Sequence, residues 1–535
     1  MSSFTNDEPV DRGVTREELL RRAALAGAAL AGAQALTRAD AAVAAPQIKR
    51  GGTFRFGVGG GATTDIIDGQ HIVLKTDQAR LMATFEGLAS FDQQYRPRLD
   101  GLAQELAADK SDVWTIRVRQ GIEFHNGKTL TADDVIYSIR RTLDPKLGLF
   151  GRGAFSAVDP KRIRKLDSRT VRLFLKRPDV TLIDAFCAYF QGVVPVGYNP
   201  KAIGKGSLRF VGTGPYKVES FTPGRQSVHV RNENFWRSGQ PYFDQVVILD
   251  LPNADARVNA FLGGQVDAIT DVPFAQVPII QRRRNLKLYE SQTGGWLPIS
   301  MRVDVEPFKD VRVREAFKLI ADRKQMVGQA LSQHGRIGND VYSPFDLCYA
   351  GGSFPQRQKN IRRARALLSA AGHENLTVDL VTSPQQAGMV EAALVFAETA
   401  KEAGVTVNVK NVDGGVLYGD EYLKWPFSMD FWGTRNYLSQ VAAGSLPTSS
   451  FNETHWNDPE FNKLYRQALA ETDRKKRCAL VRRMQKLEYE RGGHIVWGFY
   501  NLISAHHTKV GGFKPDRGTL DLNKYGNGFR TIYFV

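Results

Sequence analysis

The stretch from Trp114 to Arg141, WTIRVRQGIEFHNGKTLTADDVIYSIRR, constrains the fold more than any other part of the chain, because it specifies strand, turn, strand and helix in one run. Val113, Thr115, Arg117 and Arg119 alternate with Trp114, Ile116 and Val118, so the run is a half-buried strand with the last three facing a core. A short second strand, Ile122 to Phe124, breaks at His125-Asn126-Gly127, where Asn and Gly tolerate a turn's positive φ. Thr131 stands three residues before Asp134 and predicts a capping-box helix start. Val135, Ser138 and Ile139 then share one face of that helix.

A chain of 535 residues exceeds what one hydrophobic core usually serves, so two or more lobes are expected. Its 72 Lys and Arg against 56 Asp and Glu make it strongly basic. Such a charge attracts anions, or is simply a solvated surface spread over many helices. The densest runs, Arg282 to Arg284 and Arg474 to Arg477, lack interleaved aromatics and match no nucleic-acid module.

Residues 1–44 read as an export signal. Arg16, Arg21 and Arg22 precede the small-residue apolar run Ala23 to Leu36, and Ala42-Val43-Ala44 supplies a cleavage pattern. The apolar run is shorter than the roughly 20 residues a membrane span needs. Arg21-Arg22 resembles a twin-arginine signal, with Leu20 where Ser or Thr is usual, so twin-arginine and general secretory export both stay open. No cysteine near the cleavage site provides a lipid anchor, and a monomer in the periplasm of a Gram-negative cell is expected. Three cysteines without CxxC spacing argue against zinc and redox motifs. Cys478 reads as helix core or flank, and a Cys187 to Cys348 bridge stays open.

The order FxxGxxLTADDVxxSxxR from Phe124 to Arg141 resembles the signature of family 5 extracytoplasmic solute-binding proteins, the dipeptide and oligopeptide-binding type. GGTFRFGV at 51–58, GTGPY at 212–216, RNENFW at 231–236, PYFDQVVI at 241–248 and PFKDVRVREAFKLIADRKQMV at 307–327 carry the resemblance along the chain. It implies an α/β, two-lobed fold of the type II periplasmic-binding-protein class: lobe 1 over 45–300 with an inserted subdomain at 91–205, lobe 2 over 301–497, and a return to lobe 1 over 498–535. The hinge is expected between Thr293 and Asp304. In lobe 2, Asp310 caps a helix with Val313, Ala316, Phe317 and Ile320 on one face. Helices at 364–371 and 389–403 alternate with strands at 376–382 and 405–409, which predicts a mostly parallel sheet. A helix starting at Asp458-Pro459 buries Phe461, Leu464, Tyr465 and Ala468, and the next, from about Asp473, aligns Leu480, Met484 and Leu487.

The resemblance also locates a ligand site. In peptide-binding relatives a lobe 2 strand ends in tryptophan, and an aspartate three residues later holds the peptide's α-ammonium. Here Trp432-Gly433 is followed by Arg435, which would repel an ammonium and bind a carboxylate or phosphate through its planar fork. Trp432 and Trp296 offer aromatic walls, and Asn436 and Tyr437 are weaker candidates on the same loop. A salt bridge from Arg435 to Asp430 or Glu453 is the structural alternative. Gly60, Gly61 and Thr63 follow the first strand at the expected cleft mouth.

No GxSxG, HExxH or Walker loop is present, and neither a cofactor nor a metal is expected. The expected partners are a small-molecule or short-peptide ligand and a membrane permease of the ABC type, which is coupled to ATPase subunits. Two other functions stay open: a receptor for peptides with free N-termini, and an exported hydrolase on the same fold.

Overall fold

The computed structural model describes residues 48–72, 74–204, 206–518 and 528–535; the expected export signal lies outside them. The chain is α/β and two-lobed, built on two principal sheets. In the larger one, Thr53–Val58 lies at the centre, parallel to Gln245–Asp250 and to Ala268–Ile269. Phe54, Phe56 and Val58 of that strand are buried, and Phe54 stacks on Phe243 with ring centroids 5.0 Å apart. Antiparallel strands Gln226–Arg231 and Tyr216–Thr222 extend one side, and Gly498–His507 and Leu286–Trp296 extend the other.

A separate four-stranded antiparallel sheet runs in the order Ala103–Lys110, Val113–Val118, Thr170–Leu175, Val158–Lys165. Trp114, Ile116 and Val118 are all buried, as the alternation predicts. The expected second strand reduces to one bridge, Glu123 to Thr129, across the His125-Asn126-Gly127 turn. The helix follows at Ala132–Leu143, and the Asp134 carboxylate accepts the Thr131 amide at 3.0 Å, which closes the capping box. Arg141 at its end grips Asp68 with two hydrogen bonds of 3.0 and 2.6 Å and thereby ties this sheet's helix to the larger sheet's first loop.

The second principal sheet runs Thr406–Asn411, Thr377–Thr382, Phe427–Met429, Ile299–Met301, His494–Ile495. Four of the five strands run in one direction, as expected of a mostly parallel sheet, and Ile299–Met301 alone is reversed, pairing antiparallel with both Phe427–Met429 and His494–Ile495. The physical reason is the connection: Ile299–Met301 carries the chain in from the larger sheet and His494–Ile495 carries it back. The outgoing passage lies between Trp296 and Ile299 and the return between Ile495 and Gly498, so the two sheets share a two-chain crossing. Close packing at the crossing requires glycine at 295, where a Cβ would stand 2.4 Å from the Tyr500 ring.

The Asp310-capped helix, Val311–Ile320, buries Val313, Ala316, Phe317 and Ile320 completely. Helix Pro459–Ala470 buries its four expected residues. Helix Arg474–Arg491 is rotated from expectation: Val481, Met484, Gln485 and Glu488 face inward, and Leu480 and Leu487 are only partly buried. Hydrogen bonding explains the rotation, because buried Glu488 accepts the hydroxyls of Tyr342 and Tyr437.

The cysteine expectation is also corrected. Cys348 and Cys478 are bonded with Cα atoms 4.7 Å apart, and Cys187 is the buried free thiol. The partners are 130 residues apart, and only the packing of helix Arg474–Arg491 on the 343–350 loop brings them together. We expect one reactive thiol per chain in denaturant without reductant and three after reduction; three in both states would refute the bond. Cys348→Ser should lower unfolding stability by about 2–5 kcal/mol.

Candidate functional site

The loop after strand Phe427–Met429 is fastened to the crossing. Trp296 and Trp432 exchange backbone hydrogen bonds of 3.0 and 2.9 Å, extending the strand pairing past its last regular residue. Their indoles stack nearly parallel with centroids 6.4 Å apart, Trp296 stacks on Tyr342 at 5.1 Å, and Tyr342 stacks on Tyr437 at 5.2 Å. At the other end the Arg435 guanidinium lies 5.2 Å from the Trp432 ring centre, a cation–π contact. The order is therefore cation, two indoles and two phenols in one column.

Burial within that column is steep. Trp296 is 1% exposed, Trp432 6% and Tyr437 0%, whereas Arg435 is half-buried. Tyr437, a candidate from the sequence, spends its ring and hydroxyl inside the core, with the hydroxyl donated to Glu488 at 2.6 Å. Arg435 forms no ion pair among the described residues. Asp430 accepts from Tyr418, Tyr422 and its neighbour's amide, and Glu453 accepts from Trp432, Ser300 and His494, so the bracing alternative has no geometry behind it. Burial pushes Glu453 up to about 7, and burial together with Glu453 holds Asp430 well above the usual carboxylate range. Burial thus reduces the negative charge that these acids present to Arg435.

Tyr189, just after helix Leu182–Cys187, lies within electrostatic reach of Arg435. Burial raises its phenol, and the Arg435 charge and Gln78, on helix Lys75–Thr84, oppose that rise. Asn436 reaches the same region, donating to Asp184 at 2.9 Å, and Ser439 donates to the other Asp184 oxygen at 2.8 Å. Nearby, the Tyr95 hydroxyl donates to the Thr434 carbonyl at 2.6 Å, beside Gly433. Residues 433–439 are thus faced by side chains from residues 78–189. The sequence offered no signal for Tyr189, Gln78, Asp184 or Ser439, since none lies in a motif.

The glycine loop lies against the start of the helix that carries Gln78. Gly60 and Gly61 both have positive φ, and Gly60 packs against Leu74 and Thr76 at the start of the Gln78 helix. A Cβ on Gly61 would lie 2.5 Å from Asp250, the buried partner of Arg80, so this glycine serves a close approach inside the fold. Thr63 is exposed, beside Gly224. No hydrogen bond or ring contact among the described residues joins Gly60, Gly61 or Thr63 to Arg435. No cluster of metal-ligating side chains occurs among the described residues, and no helix there is long and apolar enough to cross a membrane.

Trp296→Ala should cost about 3–5 kcal/mol in chemical denaturation, as it removes the middle of the column. Arg435→Ala should cost under about 1 kcal/mol, because a half-buried cation without an acidic partner contributes little to folding. Equal losses would make Arg435 a structural residue.

Known proteins with the same architecture are numerous. The glutathione-binding protein GsiB of Escherichia coli K12 is 23% identical over 466 residues, covering 82% of this chain and 88% of its own. The PBP AgaA of A. tumefaciens R10, solved in complex with agropinic acid, superposes with a TM-score of 0.75 at 23% identity, covering 90% of this chain and 99% of AgaA. DppA of Helicobacter pylori, solved with the peptide STSA, gives a TM-score of 0.75 at 19% identity over 91% and 98% of the two chains. Residues 100–455 match the middle region of the bacterial extracellular solute-binding proteins of family 5. The chain belongs to that family, whose members serve ABC importers as extracytoplasmic binding proteins.

Proposed function

We propose that this receptor captures a small anionic solute in the cleft between residues 433–439 and Tyr189, and that Arg435 is its charge partner. The observation that carries the proposal is a guanidinium held in place by Trp432, within electrostatic reach of Tyr189, with no carboxylate paired to it among the described residues. A half-buried cation so placed favours an anion that can accept its paired N–H donors. Glutathione and agropinic acid, named for two relatives, are both carboxylic acids, which supports a carboxylated ligand over a neutral one.

In this account lobe 1 spans 45–300 and 498–535, and lobe 2 spans 301–497. The two chain passages at 297–298 and 496–497 act as the hinge. Closure about a ligand is the established switching mode of periplasmic binding proteins. Only a ligand that contacts both lobes stabilises the closed form, and Arg435 with Tyr189 provides one contact from each. The closed monomer would then be read by the permease. Export to the periplasm follows from the Arg21-Arg22 segment, by either route.

A thermal-shift screen of carboxylated and phosphorylated solutes against unblocked neutral peptides tests the proposal. A true ligand at 100 times its dissociation constant adds about 2.7 kcal/mol of stability. Hits confined to anions are expected, and Arg435→Asp should weaken them at least about tenfold, since losing a buried charge partner costs about 2–5 kcal/mol. Hits confined to neutral peptides with free N-termini would contradict the proposal and favour a peptide receptor.

A further inference from the structure

Asp184 is an unusual carboxylate. It lies on helix Leu182–Cys187, is held by groups at the start of helix Tyr437–Gly444, and the two helices are more than 200 residues apart in sequence. One oxygen accepts the Asn436 amide at 2.9 Å and the other accepts the Ser439 hydroxyl at 2.8 Å. Neither donor is charged, and no cation pairs with Asp184 among the described residues. The charged and titratable groups around it are mostly acids. Asp179 precedes it on its own side, with Arg177 beyond. From the other side comes Asp346, which accepts the amides of Cys348 and Tyr437, with Arg477 beyond. The buried Cys187 thiol, itself raised by burial, lies one turn along.

We propose that Asp184 is a proton-linked latch: closing the cleft moves this carboxylate from water into an acidic, counter-charge-free seam, so closure takes up a proton from solvent and is favoured as pH falls. The inference rests on the two-lobed clamp above, in which these helices belong to opposite lobes. Both protonation states keep the seam bonded. As carboxylate, Asp184 accepts from Asn436 and Ser439; as acid, its new O–H donates to the Ser439 oxygen while its other oxygen still accepts from Asn436. Protonation therefore removes the charge while keeping both contacts, and the Ser439 O–H it displaces can turn to solvent because Ser439 is only half-buried.

The sign follows from linkage. In the seam, burial pushes Asp184 up to about 7; the Ser439 and Asn436 bonds oppose this, and Asp346 and Asp179 add to it. An open cleft returns it to water, where aspartate titrates near ~4. The closed form is favoured below the closed-state value, and the advantage disappears as pH rises through about 7. The closed-to-open ratio should thus rise by tens of fold, roughly, between pH 8 and pH 5.

Small-angle X-ray scattering of the ligand-free protein from pH 5 to pH 8 tests the latch and needs no ligand, so a failed search for anions leaves the test standing. The wild type should become more compact on acidification, and Asp184→Asn, which carries no charge to desolvate, should be equally compact throughout. A flat wild-type profile overturns the proposal, as does a pH response that persists in Asp184→Asn. Should that variant not fold, Asp184→Ser decides: it likewise carries no titrating charge at this position, so its compactness should not change between pH 5 and pH 8. A pH response as large as the wild type's overturns the latch.

Discussion

The stack of Trp432 on Trp296 is the interaction on which the site depends. Trp296 ends the strand that leaves the larger sheet, and Trp432 ends the segment that leaves the smaller one. Their paired backbones and parallel rings fix the loop 433–439 to the crossing. Tyr342 and Tyr437 continue the column to Glu488, whose carboxylate takes both hydroxyls, so the far end is polar and satisfied. The near end is Arg435. An aromatic column of this kind is rigid because each ring loses few rotamers when it is buried. Arg435 consequently stands on a base that does not have to be ordered when a ligand arrives.

Electrostatics divides the same region into two zones. Behind Trp432, Asp430 and Glu453 are buried, hydrogen-bonded by tyrosine, tryptophan, serine and histidine, and kept protonated more readily than free acids. In front, Arg435 lies within electrostatic reach of Tyr189, with no carboxylate paired to it among the described residues. Along the seam the sign reverses, with Asp179, Asp184 and Asp346 gathered around one helix start. The disulfide is part of this arrangement. It anchors the 343–350 loop, and that loop's Asp346 receives the first amide of helix Tyr437–Gly444.

What was legible in the sequence was local. The Trp114 to Arg141 run encodes its strand, turn and capped helix within a few residues of each other, and Asp310 and Asp458 cap their helices for the same reason. The Trp432 to Arg435 spacing was also readable, since it lies in one loop. Long-range pairing was not. Nothing near Cys348 specifies Cys478, and nothing near Asp184 specifies Asn436, 252 residues away. Tyr437 was read as part of the loop, yet it starts a helix, and Glu488 draws its hydroxyl into the core. The inward turn of Glu488 likewise misaligned the apolar stripe read from Leu480 and Leu487.

The central claim is that Arg435 reads a negative charge in a closing cleft. Isothermal titration with a matched pair, the tightest carboxylate found in the solute screen and its primary amide, tests it most directly. The two compounds have nearly the same shape and differ in charge. The account predicts that the amide binds the wild type at least about tenfold more weakly, and that the difference disappears in Arg435→Ala. Equal affinity of acid and amide for the wild type would contradict it.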